Sequence, residues 1–222
     1  FEYIGRCPEC GAELVRFEGE AKHYCPNQSG CRPQIVGRIV HFIGRKALNI
    51  DGLGGETVEL LFENGLVRDI ADLYTLKAAD LAVLPRLGEK SADNIINSIE
   101  ASKAVPFARV LFGLGIRFVG ETTAKYMAAH FKSLDAVMAA DKQALMESDE
   151  VGDKIAESII GYFADPVNIS ILERLRCAGL QFEAEATERH SDTLEGKNIV
   201  VSGKFTLHSR DELKALIELH GG

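Results

Sequence analysis

The sequence predicts a mainly α-helical protein that opens with a small four-cysteine module and closes with a short strand-and-helix piece. Three observations carry that prediction. Four of the five cysteines fall within the first 31 residues. From about Gly37 to Phe182, apolar residues recur three and four positions apart, as in Thr57 to Phe62 and Ala92 to Ile99, which is the period of a helix with one buried face. Within that stretch a glycine preceded by an apolar residue returns at intervals of 34, 32 and 32 residues.

Residues 1–34 are rich in Gly, Pro and polar residues and lack the apolar periodicity to build a core. Such a segment needs a staple. Cys7 and Cys10 form a tight two-ligand turn, and Cys25 with Cys31 supply a second pair after 14 intervening residues. Four thiolates close a tetrahedron around Zn²⁺ and leave no open position for water, so the expected site is structural and non-catalytic. Two disulfides, or a redox dithiol at Cys7 and Cys10, are the alternatives; the first needs an oxidising compartment and the second a strand-to-helix setting that the sequence lacks. His23 lies close enough in sequence to compete as a ligand. Cys177, among Ile171, Leu172, Leu175 and Leu180, reads as a buried helical residue.

Residues 35–182 contain an internal repeat. Gly54, Gly88, Gly120 and Gly152 follow Leu53, Leu87, Val119 and Val151; four residues later stand Val58, Ala92, Ala124 and Ala156, and seven later Leu61, Ile95, Met127 and Ile159. Four registers in agreement predict four helix-hairpin-helix units, with positions four and seven facing inward and the small residues permitting close helix crossing. The glycine is expected to allow a left-handed or closely approached backbone just before each helix. Amides at the helix start then point outward unpaired, and with the positive end of the helix dipole they form an anion pocket suited to a phosphate. Basic side chains stand nearby: Arg86 and Lys90, Arg117 and Lys125, and Lys154. The first hairpin has none and is expected to be the structural member of the set. Plain helix-turn-helix packing, with glycine only as a turn former, is the competing explanation for any single repeat.

Residues 183–194 are polar and acidic and read as a linker. After them Ile199, Val200 and Val201 predict a strand ending at Ser202 and Gly203, and Ser209 is placed to cap a helix over Arg210 to His220.

The net charge of −8 stands against nucleic acid at first sight, since Lys and Arg supply most non-specific affinity for phosphate. The balance is uneven, however. Residues 1–50 hold seven Lys/Arg against five Asp/Glu, residues 51–182 hold 13 against 20, and residues 183–222 hold five against eight. Any face for DNA must therefore be local, and main-chain contacts need no basic surface. Such contacts read sugar and phosphate, which predicts binding without sequence preference. No apolar stretch is long enough to span a bilayer and no leader pattern is present, so an intracellular monomer is expected. The ends, Phe1 and Gly221–Gly222, read as those of a fragment.

In this order, a four-cysteine zinc module, four hairpins, a linker and a strand-and-helix start, the chain resembles the C-terminal part of bacterial NAD-dependent DNA ligases. The segments His41, Phe42, Ile43; Asp51, Gly52, Leu53, Gly54; and Leu114, Gly115, Ile116, Arg117, Val119, Gly120 support the resemblance, as do Leu194 to Gly203 for the start of a BRCT domain. The resemblance implies zinc on Cys7, Cys10, Cys25 and Cys31, and hairpins contacting the minor groove and backbone of nicked double-stranded DNA. It implies domains at 1–34, 35–182 and 195–222, and DNA-contacting positions at Gly54, Arg86, Gly88, Lys90, Arg117, Gly120, Lys125, Gly152 and Lys154. The parent enzyme would use NAD and magnesium in the bacterial cytoplasm to join a 5′-phosphate to a 3′-hydroxyl during replication and repair.

The catalytic part is not expected here. The family nucleophile lies in Lys-x-Asp-Gly, and before Asp51-Gly52 the corresponding position is Asn49. Gly203-Lys204 is followed by Phe205, which is no P-loop, and Gly113, Leu114, Gly115 with Gly120 misses the dinucleotide spacing. NAD and magnesium are therefore expected not to bind this portion, and no catalytic residue is assigned. A stand-alone zinc and hairpin repair scaffold without ligase activity, and a zinc-stapled protein-interaction module, are the rival readings.

Overall fold

The computed structural model describes residues 3–17, 19–184, 191–197, 199–203 and 205–221. The chain divides into two compact units, residues 1–184 and 185–222.

The first unit is helical apart from its N-terminus. Its α-helices are α1 (Arg32–Ile43), α2 (Gly55–Glu63), α3 (Ala78–Ala82), α4 (Glu89–Ser102), α5 (Phe107–Gly113), α6 (Glu121–Phe131), α7 (Leu134–Ala139), α8 (Lys142–Met146), α9 (Asp153–Ala164) and α10 (Pro166–Ala178). A 3-10 helix, Ile70–Thr75, lies between α2 and α3. Four helix pairs, α1/α2, α3/α4, α5/α6 and α8/α9, pack against each other across the short turns that hold the repeated glycines.

The repeat explains the core. Val58, Ala92, Ala124 and Ala156 are completely buried, and Leu61, Ile95, Met127 and Ile159 are buried beside them. Each large side chain so buried contributes roughly 1.5–3 kcal/mol relative to exposure. The small residue one turn earlier lets the partner helix approach. Packing between pairs is as close, as Gly113 in α5 shows against α1 and the segment after it: a Cβ there would stand 2.7 Å from Leu48 Cδ2 and 3.3 Å from Phe42 Cδ2.

Polar clasps tie distant elements of this unit together. Arg174 on α10 bonds Asp69 (2.8 Å) and Asp72 (2.5 Å), the carboxylates that form the capping box of the 3-10 helix. On the other side His41 Nε2 of α1 lies 2.9 Å from the Phe112 carbonyl of α5.

Cys177 is exposed, contrary to the expectation that it is buried. Helix α10 buries Ile171, Leu172 and Leu175, and a residue two beyond Leu175 is rotated about 200° away from that face at 3.6 residues per turn.

In the second unit α11 spans Arg210–Leu219, and Ser209 begins it as expected. The Ser209 hydroxyl accepts from the Glu212 amide (3.2 Å), while the Glu212 carboxylate accepts from the Ser209 amide (2.6 Å), a reciprocal capping box. The expected strand at Ile199 to Val201 is not formed, because none of the described residues pairs with its backbone. The middle of the expected linker, residues 185–190, lies outside the described residues, as do Asn198, Lys204 and Gly222. No described helix is long and apolar enough to cross a membrane.

Replacing Gly113 with Ala should destabilise the first unit by about 1–3 kcal/mol through overpacking against Leu48 and Phe42. Urea unfolding followed by circular dichroism measures this; an unchanged midpoint would show that the α5 contact has slack.

Candidate metal centre and nucleic-acid interface

The four N-terminal cysteines converge. Their sulfurs all lie within 4.8 Å of one another, with Cys7 and Cys31 3.9 Å apart and Cys10 and Cys25 3.5 Å apart. Tetrahedral Zn²⁺ with Zn–S bonds of about 2.3 Å requires sulfur separations of roughly 3.8 Å, so the donor set fits the ion. Backbone bonds shape the first knuckle: the Cys7 amide donates to the Ala12 carbonyl (2.8 Å), and the Gly11 amide to the Cys7 carbonyl (2.9 Å). The Val15–Tyr24 bridge, two bonds of 2.8 Å, brings the second pair under the first. His23 stays out of the cluster and faces the Tyr3 ring at 4.8 Å.

The thiols are poised unequally. A backbone hydrogen bond at Ala12 holds Cys10 down to about 6, whereas burial pushes Cys31 up to about 12 and raises Cys25. A cation is what allows the buried sulfurs to ionise together. The metal centre is also continuous with the helices, because Cys31 is the N-cap of α1, and the Gln34 side chain donates to the Cys25 carbonyl at 2.9 Å.

The hairpins share a geometry that differs in one respect from the expected one. Gly54, Gly88, Gly120 and Gly152 are the N-caps of α2, α4, α6 and α9, with φ of −104°, −101°, −84° and −99°. These are extended values, so the left-handed expectation fails at the glycines themselves. The left-handed residue stands two positions earlier in every repeat: Gly52 (83°), Arg86 (68°), Phe118 (68°) and Glu150 (65°). A tight turn imposes it. The amides of Leu87, Val119 and Val151 donate to the carbonyls of Leu84, Ile116 and Ser148, and a positive φ at the third residue is what a type II turn demands. Non-glycine residues in this conformation cost about 1–2 kcal/mol each. In the first turn a glycine is required on packing grounds too, since a Cβ on Gly52 would lie 2.9 Å from Ile95 Cγ1.

The N-cap glycines thus lack a conformational reason, and they also lack a steric one. A Cβ at Gly54, Gly88, Gly120 or Gly152 would meet nothing within 4 Å. None of the four helices has a side-chain cap, while Asp69, Ser133, Asp141 and Asp165 cap their helices with side-chain oxygens. Serine or aspartate is ordinarily the better N-cap. Consequently the amides of Glu89, Lys90 and Ser91, and of Glu121, Thr122 and Thr123, meet no acceptor among the described residues. Two or three outward amides at a positive helix end constitute an anion site.

All four glycines, with Arg86, Lys90, Arg117, Lys125 and Lys154, are exposed, but the basic residues are differently engaged. Arg86 lies 3.5 Å from Glu56 of the first hairpin. Arg117 is held by the metal-binding module, bonding both Glu20 oxygens at 2.7 and 2.9 Å. Two further lysines escaped the sequence reading. Lys46 pairs with Glu121 and Lys142 with Asp153, both at 2.7 Å, neutralising the acid in the first turn of α6 and α9. These pairings raise both lysines above their ordinary value, through the carboxylate hydrogen bonds. Sequence spacing of 75 and 11 residues offers no signal for them.

Chelating the zinc should unfold residues 3–31 and leave most of the helical signal of α2 to α10 intact. Reloading zinc at pH 7 should release at least two protons, because the cysteines of the unfolded metal-free module have ordinary values of about 8.5 and hold most of their protons at that pH. Calorimetry in two buffers of different ionisation enthalpy counts them; release of none would contradict thiolate ligation.

Residues 6–32 match the NAD-dependent DNA ligase C4 zinc finger domain. Residues 45–101 match the SAM-like helix-hairpin-helix tandem and residues 109–172 the helix-hairpin-helix motif. The chain is similar along its whole length to proteins named DNA ligase: 60% identical to that of Phocaeicola vulgatus and 55% to that of Bacteroides fragilis. It is also 54% identical to that of Flavobacterium johnsoniae. It spans about a third of the length of these relatives, 33–34%. With the ligase-type C4 zinc finger, the hairpin tandems behind it and this similarity along its whole length, the chain is similar to the zinc-finger and hairpin portion of NAD-dependent DNA ligases.

Proposed function

We propose that this portion grips the backbone of nicked double-stranded DNA, without sequence preference, for an enzyme that seals the nick. One observation carries the reading. Four helices begin at glycines that neither φ nor internal packing requires, in a protein that caps other helices with Ser and Asp. A side chain there would occupy the amides or stand where an incoming phosphate must sit. The nearby Arg86, Lys90, Lys125 and Lys154 add charge to a grip made mainly by main chain.

The sealing chemistry, joining a 5′-phosphate to a 3′-hydroxyl with NAD and magnesium in the bacterial cytoplasm, belongs on this reading to the parent enzyme. Similarity to DNA ligases over the whole chain favours it over a stand-alone scaffold. The division at 1–34, 35–182 and 195–222, with the last segment as the start of a BRCT domain, is part of the same proposal.

Substituting Gly88 or Gly152 with Ser tests it directly, because stability and binding should move in opposite directions. Serine is the better cap, so the protein should gain a few tenths of a kcal/mol. Loss of one charge-assisted phosphate contact, about 1.5–3 kcal/mol, should weaken binding to a nicked duplex roughly ten- to a hundredfold. Unchanged affinity in a stable G88S/G152S protein would refute the amide grip. Reversing Lys90 and Lys154 to Glu should in addition flatten the salt dependence, by about 0.9 in slope for each phosphate neutralised.

A further inference from the structure

Arg117 was expected to reach for DNA, yet its surroundings assign it another task. Its guanidinium carbon lies 4.6 Å from the Phe17 ring centroid, 4.7 Å from that of Tyr24 and 4.6 Å from that of Phe118. One of its nitrogens bonds both oxygens of Glu20, and the Tyr24 hydroxyl donates to the same carboxylate at 2.5 Å. Its own carbonyl accepts from Ser158 on α9 at 2.7 Å. Phe17, Glu20 and Tyr24 all belong to the zinc module; Tyr24 adjoins Cys25 and forms the bridge to Val15. Arg117 and the left-handed Phe118 are the two central residues of the third hairpin turn. A flexible, exposed Arg at a phosphate site would be free to extend, whereas this one is already engaged by three rings and a carboxylate.

We propose that Arg117 is a positioning residue through which the zinc module holds the third hairpin turn, so that zinc occupancy sets the order of residues 116–121 and with it their grip on DNA. The DNA part of this inference rests on the function proposed above; the coupling of zinc to the turn does not. The physical basis is that a bulky residue at positive φ persists only where its surroundings over-determine it. Here the surroundings are the stacked guanidinium and the rings beneath it. The module keeps those rings in place only while the cysteines are held together, since metal binding and folding of such a module are the same event. Arginine is suited to the task in a way lysine is not, because its planar cation stacks on rings while bonding a carboxylate at its edge.

The Glu20→Gln variant separates positioning from direct contact by the sign of its effect. If Arg117 were a phosphate ligand restrained by Glu20, removing the carboxylate would free the cation and remove a negative charge near DNA, and affinity would rise. As a positioning residue it loses its anchor, so nicked-duplex affinity should fall roughly three- to tenfold with an unchanged salt slope. Arg117→Lys, which keeps the charge, should fall similarly. Hydrogen exchange at residues 116–121, measured without DNA, supplies the second readout. Chelation should accelerate it in the unaltered protein and add little in Arg117→Ala, where it is already fast. Increased affinity in E20Q, retained affinity in R117K, or exchange indifferent to zinc would each overturn the proposal. If the unaltered protein bound no DNA at low salt while the exchange coupling held, the function proposed above would fail and the zinc-to-turn coupling would stand.

Discussion

The arrangement rests on a paired backbone constraint: a residue held at positive φ, then, two positions on, an extended glycine that starts a helix. The first bends the chain sharply enough for two helices to pack back to back. The second leaves the new helix uncapped, with its amides facing out. Apolar residues make the constraint tolerable, because Leu53, Leu87, Val119 and Val151 sit between the two positions and anchor the turn in the core, three of them buried and Leu87 partly so. The strain at Arg86, Phe118 and Glu150 is thus held by the packing of the residue that follows each.

The zinc module solves a different problem by different means. It has too few apolar residues for a core, so the bonds of four sulfurs to one ion replace burial, and two of its aromatic residues, Phe17 and Tyr24, are presented to Arg117. At the other end Cys31 hands the chain directly to α1, where Arg32 reaches Glu59 and Glu63 of α2 at 3.2 and 2.8 Å. Metal, first hairpin and third hairpin are therefore joined by short polar links as well as by the common core.

Most of this architecture was legible because it is periodic. The glycine interval revealed the hairpins, positions four and seven after each glycine named their core, and cysteine spacing named the metal ligands. The left-handed residue was hidden because its identity changes at every repeat, from Gly52 to Arg86, Phe118 and Glu150, so that only backbone geometry unites it. Pairings over long sequence distance were equally silent: nothing in the order of residues ties Arg117 to Glu20, or Lys46 to Glu121. Cys177 misled because an apolar neighbourhood in sequence spans more than one face of a helix. The Ile199 to Val201 run has strand propensity, but propensity without a hydrogen-bonded neighbour makes no strand.

The central claim is that DNA is held by main-chain amides at open helix starts, with basic side chains secondary. Amide hydrogen exchange of the chain, with and without a nicked duplex, tests this at the atoms concerned. The account predicts slowed exchange at the first-turn amides of α4, α6 and α9, among them those of Lys90, Thr122 and Lys154, with little change at the middles of these helices. Exchange at those amides unaffected by saturating duplex would contradict it and return the binding to side-chain charge alone.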